Sequence, residues 1–177
     1  YMPGATPDSP TALVLHPEPD KNGTMNNRVT FATYKLFQAR GFAVMRFNFR
    51  GVGRSQGSYE QGEGELSDAA TAIDWLQAQF PSSSVCWISG FSFGSWIAMQ
   101  LMMRRPEITG FISLSPPAST HDFTFLAPCP ASGLIIQGGD NELVPAVRVE
   151  ALVDKISKQK GVTIDIDTID GANHFFS

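Results

Sequence analysis

A Gly-Phe-Ser-Phe-Gly pentapeptide at residues 90–94 joins two apolar segments of different character. The segment before it, residues 85–89, is β-branched and aromatic like a buried strand, and the segment after it, residues 96–103, has the length and apolarity of a buried helix. A strand that turns so sharply into a helix brings the two backbones together, so both glycines must lack side chains. The pattern predicts a strand-turn-helix with Ser92 strained at its tip. The alternative is an ordinary Gly/Ser turn that matches by chance.

Strand and helix patterns alternate along the whole chain. The strand patterns lie at residues 11–16, 42–49, 85–89, 110–115, 133–137 and 162–167. Helical periodicity covers residues 26–40 and 66–80, follows the pentapeptide, and resumes at Pro145, which we expect at the first helical position. Such alternation predicts an α/β fold with a mostly parallel, twisted sheet and helices on both faces. The last strand alternates apolar and polar residues, so we expect it at an edge of the sheet.

Length and composition favour a single globular domain that spans residues 1–177. Of the 177 residues, 42% are hydrophobic and 17% are charged, which is enough for one substantial core and leaves no room for a second domain. The chain begins at Tyr1 and ends at Ser177. We interpret both ends as cut, so that terminal elements of the fold are missing.

Charge and motif content narrow the expected partners. A net charge of −4, without a basic cluster, argues against nucleic acid or an anionic membrane. No apolar stretch reaches the ~20 residues that a bilayer-spanning helix needs. Cys86 lies in a predicted strand and Cys129 between two prolines, so we expect no disulfide framework and a reducing, cytoplasmic compartment. No metal cluster or cofactor motif is found. We therefore expect a small-molecule substrate and neither a metal nor a cofactor, and leave a homodimer open.

The glycine-rich loop at residues 51–57 is a second motif to which a function could be attached. It follows a strand, as a dinucleotide-binding turn does, but its spacing is G-x-G-x-x-x-G and the next helix begins several residues later. The next strand, residues 85–89, also lacks a terminal acidic residue for a ribose. We therefore interpret this loop as packing beside the pentapeptide rather than binding a nucleotide.

Three polar side chains follow predicted strands. Ser92, Asp140 and His174 each come just after a strand, in the chain order serine, acid, histidine. Because the carboxyl ends of parallel strands meet at one edge of a sheet, we expect these side chains to lie together. Of the two other histidines, His16 ends a strand and is expected to be structural, and His121 lies in a loop.

The chain resembles the α/β-hydrolase superfamily, whose triad order is nucleophile, acid, histidine. It is more closely similar to a group of small, lidless bacterial hydrolases related to the dienelactone-hydrolase and peptidase branches. The resemblance covers essentially the entire chain and rests on the segments HPEP at residues 16–19, GTMNN at 23–27, FNFRGVGRSQG at 47–57 and GANHFF at 171–176. It implies an α/β-hydrolase fold. Residues 116–132 are too short for a cap domain, so we expect an open site that takes small, soluble substrates.

By this resemblance, Ser92 is the nucleophile and His174 the general base of a serine hydrolase. Such an enzyme cleaves a small carboxylic ester or related acyl compound through an acyl-enzyme intermediate. The oxyanion hole of this fold uses the N–H of the residue after the nucleophile, here Phe93, and one from the loop after the first strand. That loop reads Pro-Glu-Pro, and proline has no N–H, so Glu18 is expected to donate through its backbone rather than its carboxylate. Phe175 and Phe176, next to His174, are expected to contact substrate.

The acid is the point at which the sequence departs from the family pattern. Related hydrolases usually read G-x-x-D-x-x-V-P, with the acid four residues before the proline, and here Asn141 occupies that position. We favour Asp140, one residue earlier, as the acid. The alternatives are that Asn141 orients the imidazole or that Asp122 supplies the acid. The departure also favours a competing function, that of a catalytically weak or inactive binding or regulatory protein on the same scaffold.

Overall fold

A computed structural model describes residues 1–177 and contains one sheet of six parallel strands. The strands are β1 (Thr11–Leu15), β2 (Ala43–Arg46), β3 (Cys86–Phe91), β4 (Gly110–Leu114), β5 (Gly133–Gly138) and β6 (Ile164–Ile169). Their order in the sheet is β2-β1-β3-β4-β5-β6, and every neighbouring pair runs parallel. The predicted α/β class with a parallel sheet is therefore confirmed.

Helices connect most of these strands. They are α1 (Arg28–Ala39), α2 (Glu63–Gln79), α3 (Phe93–Arg104) and α4 (Ala146–Ile156), with 3-10 turns at Pro19–Lys21 and Thr124–Leu126. The side-chain oxygen of Asn27 caps α1 by accepting hydrogen bonds from the first-turn N–H groups of Val29 and Thr30. The prediction that Pro145 is the first helical residue is wrong. It precedes α4 with a ψ of 139°, which lies outside the helical region. No helix of the chain is both long and apolar enough to cross a bilayer.

The helices cover both faces of the sheet, as predicted. On one face, Tyr34 and Phe37 of α1 pack with Val14 and Val44 of the sheet. On the other face, α2, α3 and α4 share one core with β1, β3, β4, β5 and β6. Between β4 and β5 the chain forms only the short 3-10 turn, so there is no cap domain. The alternating strand β6 lies at the edge, where its aspartates are exposed.

The strand order places a crevice beside β1. Strand β2 lies on one side of β1 and β3 on the other, so the direction of chain progression reverses there. In open α/β sheets, ligands bind outside the carboxyl ends of the strands at such a reversal. Glu18 follows β1 and Ser92 follows β3, and the two strands pair directly. The fold therefore brings both residues to the same end of the sheet.

Candidate active site

Ser92 stands at the tip of a tight turn between β3 and α3. Its φ of 53° and ψ of −117° are a combination that residues with a side chain rarely adopt. The turn is close because a Cβ on Gly90 would overlap the backbone of Gly94, and a Cβ on Gly94 would overlap the carbonyl oxygens at the end of β1. The Ser92 N–H donates to the Leu114 carbonyl of β4 at 2.9 Å. The predicted strand-turn-helix and its strained serine are present.

The two backbone N–H groups predicted as oxyanion donors have no acceptor within the chain. Phe93 is the first residue of α3, so its N–H lies in the helical turn that has no intrahelical acceptors. The Glu18 N–H makes no hydrogen bond within the chain, while the Glu18 carbonyl accepts from Lys21 and Gly23. Both donors thus stay free for a substrate oxygen, and the oxyanion hole stays a prediction.

His174 lies in the loop after β6 with its imidazole against the serine. Its Nε2 is 3.0 Å from Ser92 Oγ. The Ser115 hydroxyl, at the end of β4, donates to the His174 carbonyl at 2.9 Å and holds the loop in place. The side chain is buried, and this desolvation lowers the pKa of His174, with the negative charge of Glu18 acting in the opposite direction. The imidazole is therefore neutral at physiological pH, which a proton acceptor must be.

Asn141, and not Asp140, is the residue that contacts the far side of the imidazole. The Asn141 Nδ2 is 3.0 Å from His174 Nδ1, and the side chain is buried. Asp140 is exposed, because the turn after β5 ties its N–H to the Ala172 carbonyl and directs its carboxylate outward. Asp122 accepts a hydrogen bond from the Thr124 N–H and is also exposed. The structure thus corrects the choice of Asp140: Asn141 is the residue beside the imidazole.

Glu18 reaches the serine with its carboxylate, whereas the sequence predicts only a backbone role for this residue. The Ser92 hydroxyl donates to Glu18 Oε1 at 2.6 Å. Ser92 Oγ is therefore contacted by two groups, the imidazole of His174 and this carboxylate. The signal in the sequence was an ionisable residue between two prolines at the end of a strand.

His16 is fully buried and structural, as expected. Its Nε2 accepts the Phe49 N–H at 3.0 Å, so its proton resides on Nδ1, which is 2.7 Å from the Pro17 carbonyl. The ring thereby links the loop that carries Glu18 to the loop after β2. Burial lowers the pKa of His16 to about 4, although the hydrogen bond to Pro17 and the charge of Glu18 favour the protonated ring.

Lowering the pH is expected to destabilise the fold through His16. The folded-state pKa is about 4 and the unfolded value 6.5, so the unfolded chain binds more protons between these values. The stability that is present above pH 6.5 should decline by about 1.4 kcal/mol per pH unit as the pH falls towards 4, roughly 3 kcal/mol in all. Urea unfolding at several pH values measures this. A His16→Gln variant, less stable at pH 7, should show a much weaker dependence, and an unchanged slope in that variant would contradict the assignment.

The two phenylalanines that follow His174 are separated by the structure. Phe175 is half-exposed and lines a cavity of about 130 Å³ together with Glu18, Lys21 and His174. Phe176 lines a different cavity, of about 260 Å³, beside α1 and the Ile169 end of β6. Phe175 therefore stays a candidate for substrate contact, whereas the cavity that Phe176 lines contains neither Glu18 nor His174. A larger cavity of about 430 Å³ lies at the amino ends of the strands and contains none of the groups around Ser92.

Comparisons with known proteins agree with this fold. The sequence profile of the family described as X-Pro dipeptidyl-peptidase (S15 family) matches residues 1–155. An uncharacterized protein from Rickettsia prowazekii is 50% identical over 180 residues, which cover 99% of this chain and 76% of the relative.

Solved structures give the same result. A protein of unknown function from Agrobacterium tumefaciens, described as an α/β hydrolase, has a TM-score of 0.97 and 54% identity, covering 99% of this chain and 81% of that one. A protein from Xanthomonas campestris, described as an α/β serine hydrolase without a lid, has a TM-score of 0.86 and 32% identity, covering 98% and 78% of the two chains. The resemblance to lidless bacterial hydrolases is confirmed.

Proposed function

Because this chain belongs to the X-Pro dipeptidyl-peptidase (S15) family and has the α/β serine hydrolase fold, we propose that it is a serine hydrolase acting on small carboxylic esters or related acyl compounds. The observation that carries the proposal is the position of Ser92 Oγ, strained at the turn and 3.0 Å from His174 Nε2. A serine hydroxyl with a base within hydrogen-bond distance is the arrangement that nucleophilic catalysis requires.

The reaction that we propose begins at Ser92. Ser92 Oγ attacks the acyl carbonyl, and the N–H groups of Phe93 and Glu18 hold the oxyanion of the tetrahedral intermediate. Collapse of this intermediate releases the alcohol and leaves an acyl-enzyme, which water then hydrolyses. Two groups are close enough to accept the Ser92 proton, His174 Nε2 at 3.0 Å and Glu18 Oε1 at 2.6 Å. The tautomer of His174 decides between them.

The nature of the site favours small esters over peptides. Asn141 brings no negative charge to His174, so an imidazolium is poorly stabilised and proton delivery to an amine leaving group is weak. An activated ester has a better leaving group, so it needs less proton delivery from His174. The cavity beside Glu18 and His174, about 130 Å³, suits a short acyl or alcohol group. The substrate that we propose is thus a small molecule. Both cysteines are free thiols, which supports a reducing, cytoplasmic location for the enzyme.

Asn141 also favours a second candidate function, a weakly active or inactive binding protein. In serine proteases, an amide in place of the triad carboxylate lowers kcat by about 10⁴ because the imidazole adopts the wrong tautomer. The short contact between Glu18 and Ser92 argues for retained chemistry, since it supplies the serine with an ionisable acceptor that a pure binding site has no use for.

A fluorophosphonate probe tests the proposal. We expect it to label the folded wild-type protein at one site, because the probe reacts with activated serines, and to leave Ser92→Ala unlabelled. Ser119→Ala is the matched control, since Ser119 is an exposed serine away from the turn and its loss should leave labelling unchanged. Equal labelling of the wild type and Ser92→Ala, or labelling only after heat denaturation, would remove Ser92 as the nucleophile.

A further inference from the structure

The orientation of the Asn141 amide is fixed by its own backbone contacts. Its Oδ1 accepts hydrogen bonds from the N–H groups of Leu143 at 3.0 Å and Val144 at 2.9 Å. Only an oxygen can accept from both donors, so the amide nitrogen must be the atom that faces His174 Nδ1 at 3.0 Å. An amide nitrogen donates and does not accept. His174 Nδ1 is therefore an unprotonated acceptor.

This contact determines where the imidazole carries its proton. A neutral imidazole has one N–H, and with Nδ1 unprotonated that N–H is on Nε2. Burial of His174 lowers its pKa and keeps it neutral. Nε2–H must then donate to Ser92 Oγ across the 3.0 Å between them. In this tautomer His174 positions the serine oxygen but has no lone pair on Nε2 with which to take its proton.

The remaining contact of Ser92 is the one through which its proton can leave. The serine hydroxyl donates to Glu18 Oε1 at 2.6 Å, a separation typical of an O–H bonded to a carboxylate. The directions of all three hydrogen bonds agree: Asn141 donates to His174, His174 donates to Ser92, and Ser92 donates to Glu18. No other assignment satisfies the two backbone donors that bind Asn141 Oδ1.

The loop holds Glu18 firmly in this position. The Glu18 carbonyl accepts from the Gly23 N–H at 2.9 Å and from Lys21 at 3.1 Å, which closes the turn. Gly23 approaches the carbonyls of Pro17 and Glu18 so closely that a Cβ there would overlap them. The buried ring of His16 donates a hydrogen bond to the Pro17 carbonyl. The backbone on both sides of Glu18 is therefore fixed, and this limits the positions that its carboxylate can take.

We propose that Glu18, rather than His174, is the general base that takes the proton of Ser92, an inference that rests on the proposed function. As Ser92 Oγ forms its bond to the acyl carbon, the proton moves to Glu18 Oε1 and the carbonyl π electrons become the oxyanion lone pair. When the oxyanion collapses, the bond to the leaving oxygen breaks and Glu18 returns the proton to that oxygen. The same two transfers in reverse order activate water and release the acid. His174 orients Ser92 Oγ throughout.

The decisive measurement is kcat/KM for a small nitrophenyl ester in four proteins that combine Glu18→Gln and Asn141→Asp. Glutamine keeps the shape of Glu18 and can accept a hydrogen bond, yet it cannot hold a proton. In the wild-type background, Glu18→Gln is expected to lower kcat/KM about 100-fold. In the Asn141→Asp background the loss should be less than about 10-fold, because an aspartate reverses the tautomer and makes His174 Nε2 the acceptor.

Two outcomes would overturn the Glu18 proposal. One is an unchanged kcat/KM in Glu18→Gln. The other is an equal fold-loss in both backgrounds, which would mean that Glu18 only shapes its loop. Should Glu18→Gln fail to fold, as judged by thermal unfolding, Glu18→Ala with added formate takes its place. Formate is expected to restore part of the activity in the wild-type background only, and no restoration rejects the proposal. By contrast, a complete lack of Ser92-dependent hydrolysis in both the wild type and Asn141→Asp would reject the proposed function itself.

Discussion

The Asn141→Asp variant is expected to hydrolyse small esters about 100- to 10,000-fold faster than the wild type, the reverse of the loss seen when a triad carboxylate becomes an amide. One carboxylate oxygen can keep the hydrogen bonds from Leu143 and Val144. The other then takes the place of Nδ2, 3.0 Å from His174 Nδ1, and accepts a hydrogen bond from an Nδ1–H group there. His174 Nε2 is thereby freed to accept the Ser92 proton, and the new charge stabilises the imidazolium.

Steady-state kinetics on a nitrophenyl ester check this gain, with Asp140→Asn as the matched control. That variant exchanges the same two functional groups at the adjacent position, where the side chain is exposed and lies away from His174, so its activity should equal that of the wild type. The gain should appear in kcat more than in KM, because the new charge acts on the transition state. A lower rate in Asn141→Asp, or a large loss in Asp140→Asn, would show that Asp140 orients the imidazole in solution.

The fold could be predicted because its information is local. All six strands and all four helices were predicted from periodicity, since each element buries one face or both against the same sheet. The ends of the elements were less accurate. Strand β2 was expected over residues 42–49 and ends at Arg46, because Phe49 turns out of the sheet and donates its N–H to His16 Nε2 instead of to a neighbouring strand. A side chain distant in sequence decided that boundary.

The site could be predicted only in part, for a related reason. The serine, the histidine and the turn that holds the serine follow from motifs whose steric requirements are local. Whether Asp140 or Asn141 faces His174 depends on a shift of one residue in a turn. That shift is set by the hydrogen bond from the Asp140 N–H to the Ala172 carbonyl, which joins two loops far apart in the chain. Sequence spacing carries no information on such a contact.

The carboxylate of Glu18 was missed because its direction depends on how a loop closes. The family pattern assigns a backbone donor to this loop and specifies no role for its side chains. The turn to Gly23 and the hydrogen bond between His16 and the Pro17 carbonyl fix the backbone of this loop, and Glu18 Oε1 then lies 2.6 Å from Ser92 Oγ. An ionisable residue placed between prolines beside a predicted nucleophile is therefore a signal that merits a chemical as well as a backbone interpretation.

Gly94→Ala is expected to lower the free energy of unfolding by at least about 3 kcal/mol, because the added methyl group has no space to enter. Its Cβ would overlap the carbonyl oxygens of Leu15 and His16, which are backbone atoms at the end of β1 and cannot rotate aside. Strand and helix must then separate, and the separation moves Ser92 away from Glu18, so ester hydrolysis should fall as well. Urea unfolding measures the stability.

Gly139→Ala is the matched control. Gly139 also lies outside the left-handed region, but its Cβ would meet nothing closer than 3.3 Å, so the variant should lose less than about 1 kcal/mol. Equal stabilities for the two variants would mean that the turn between β3 and α3 does not require its glycines, and the steric origin of the strained serine would have to be abandoned.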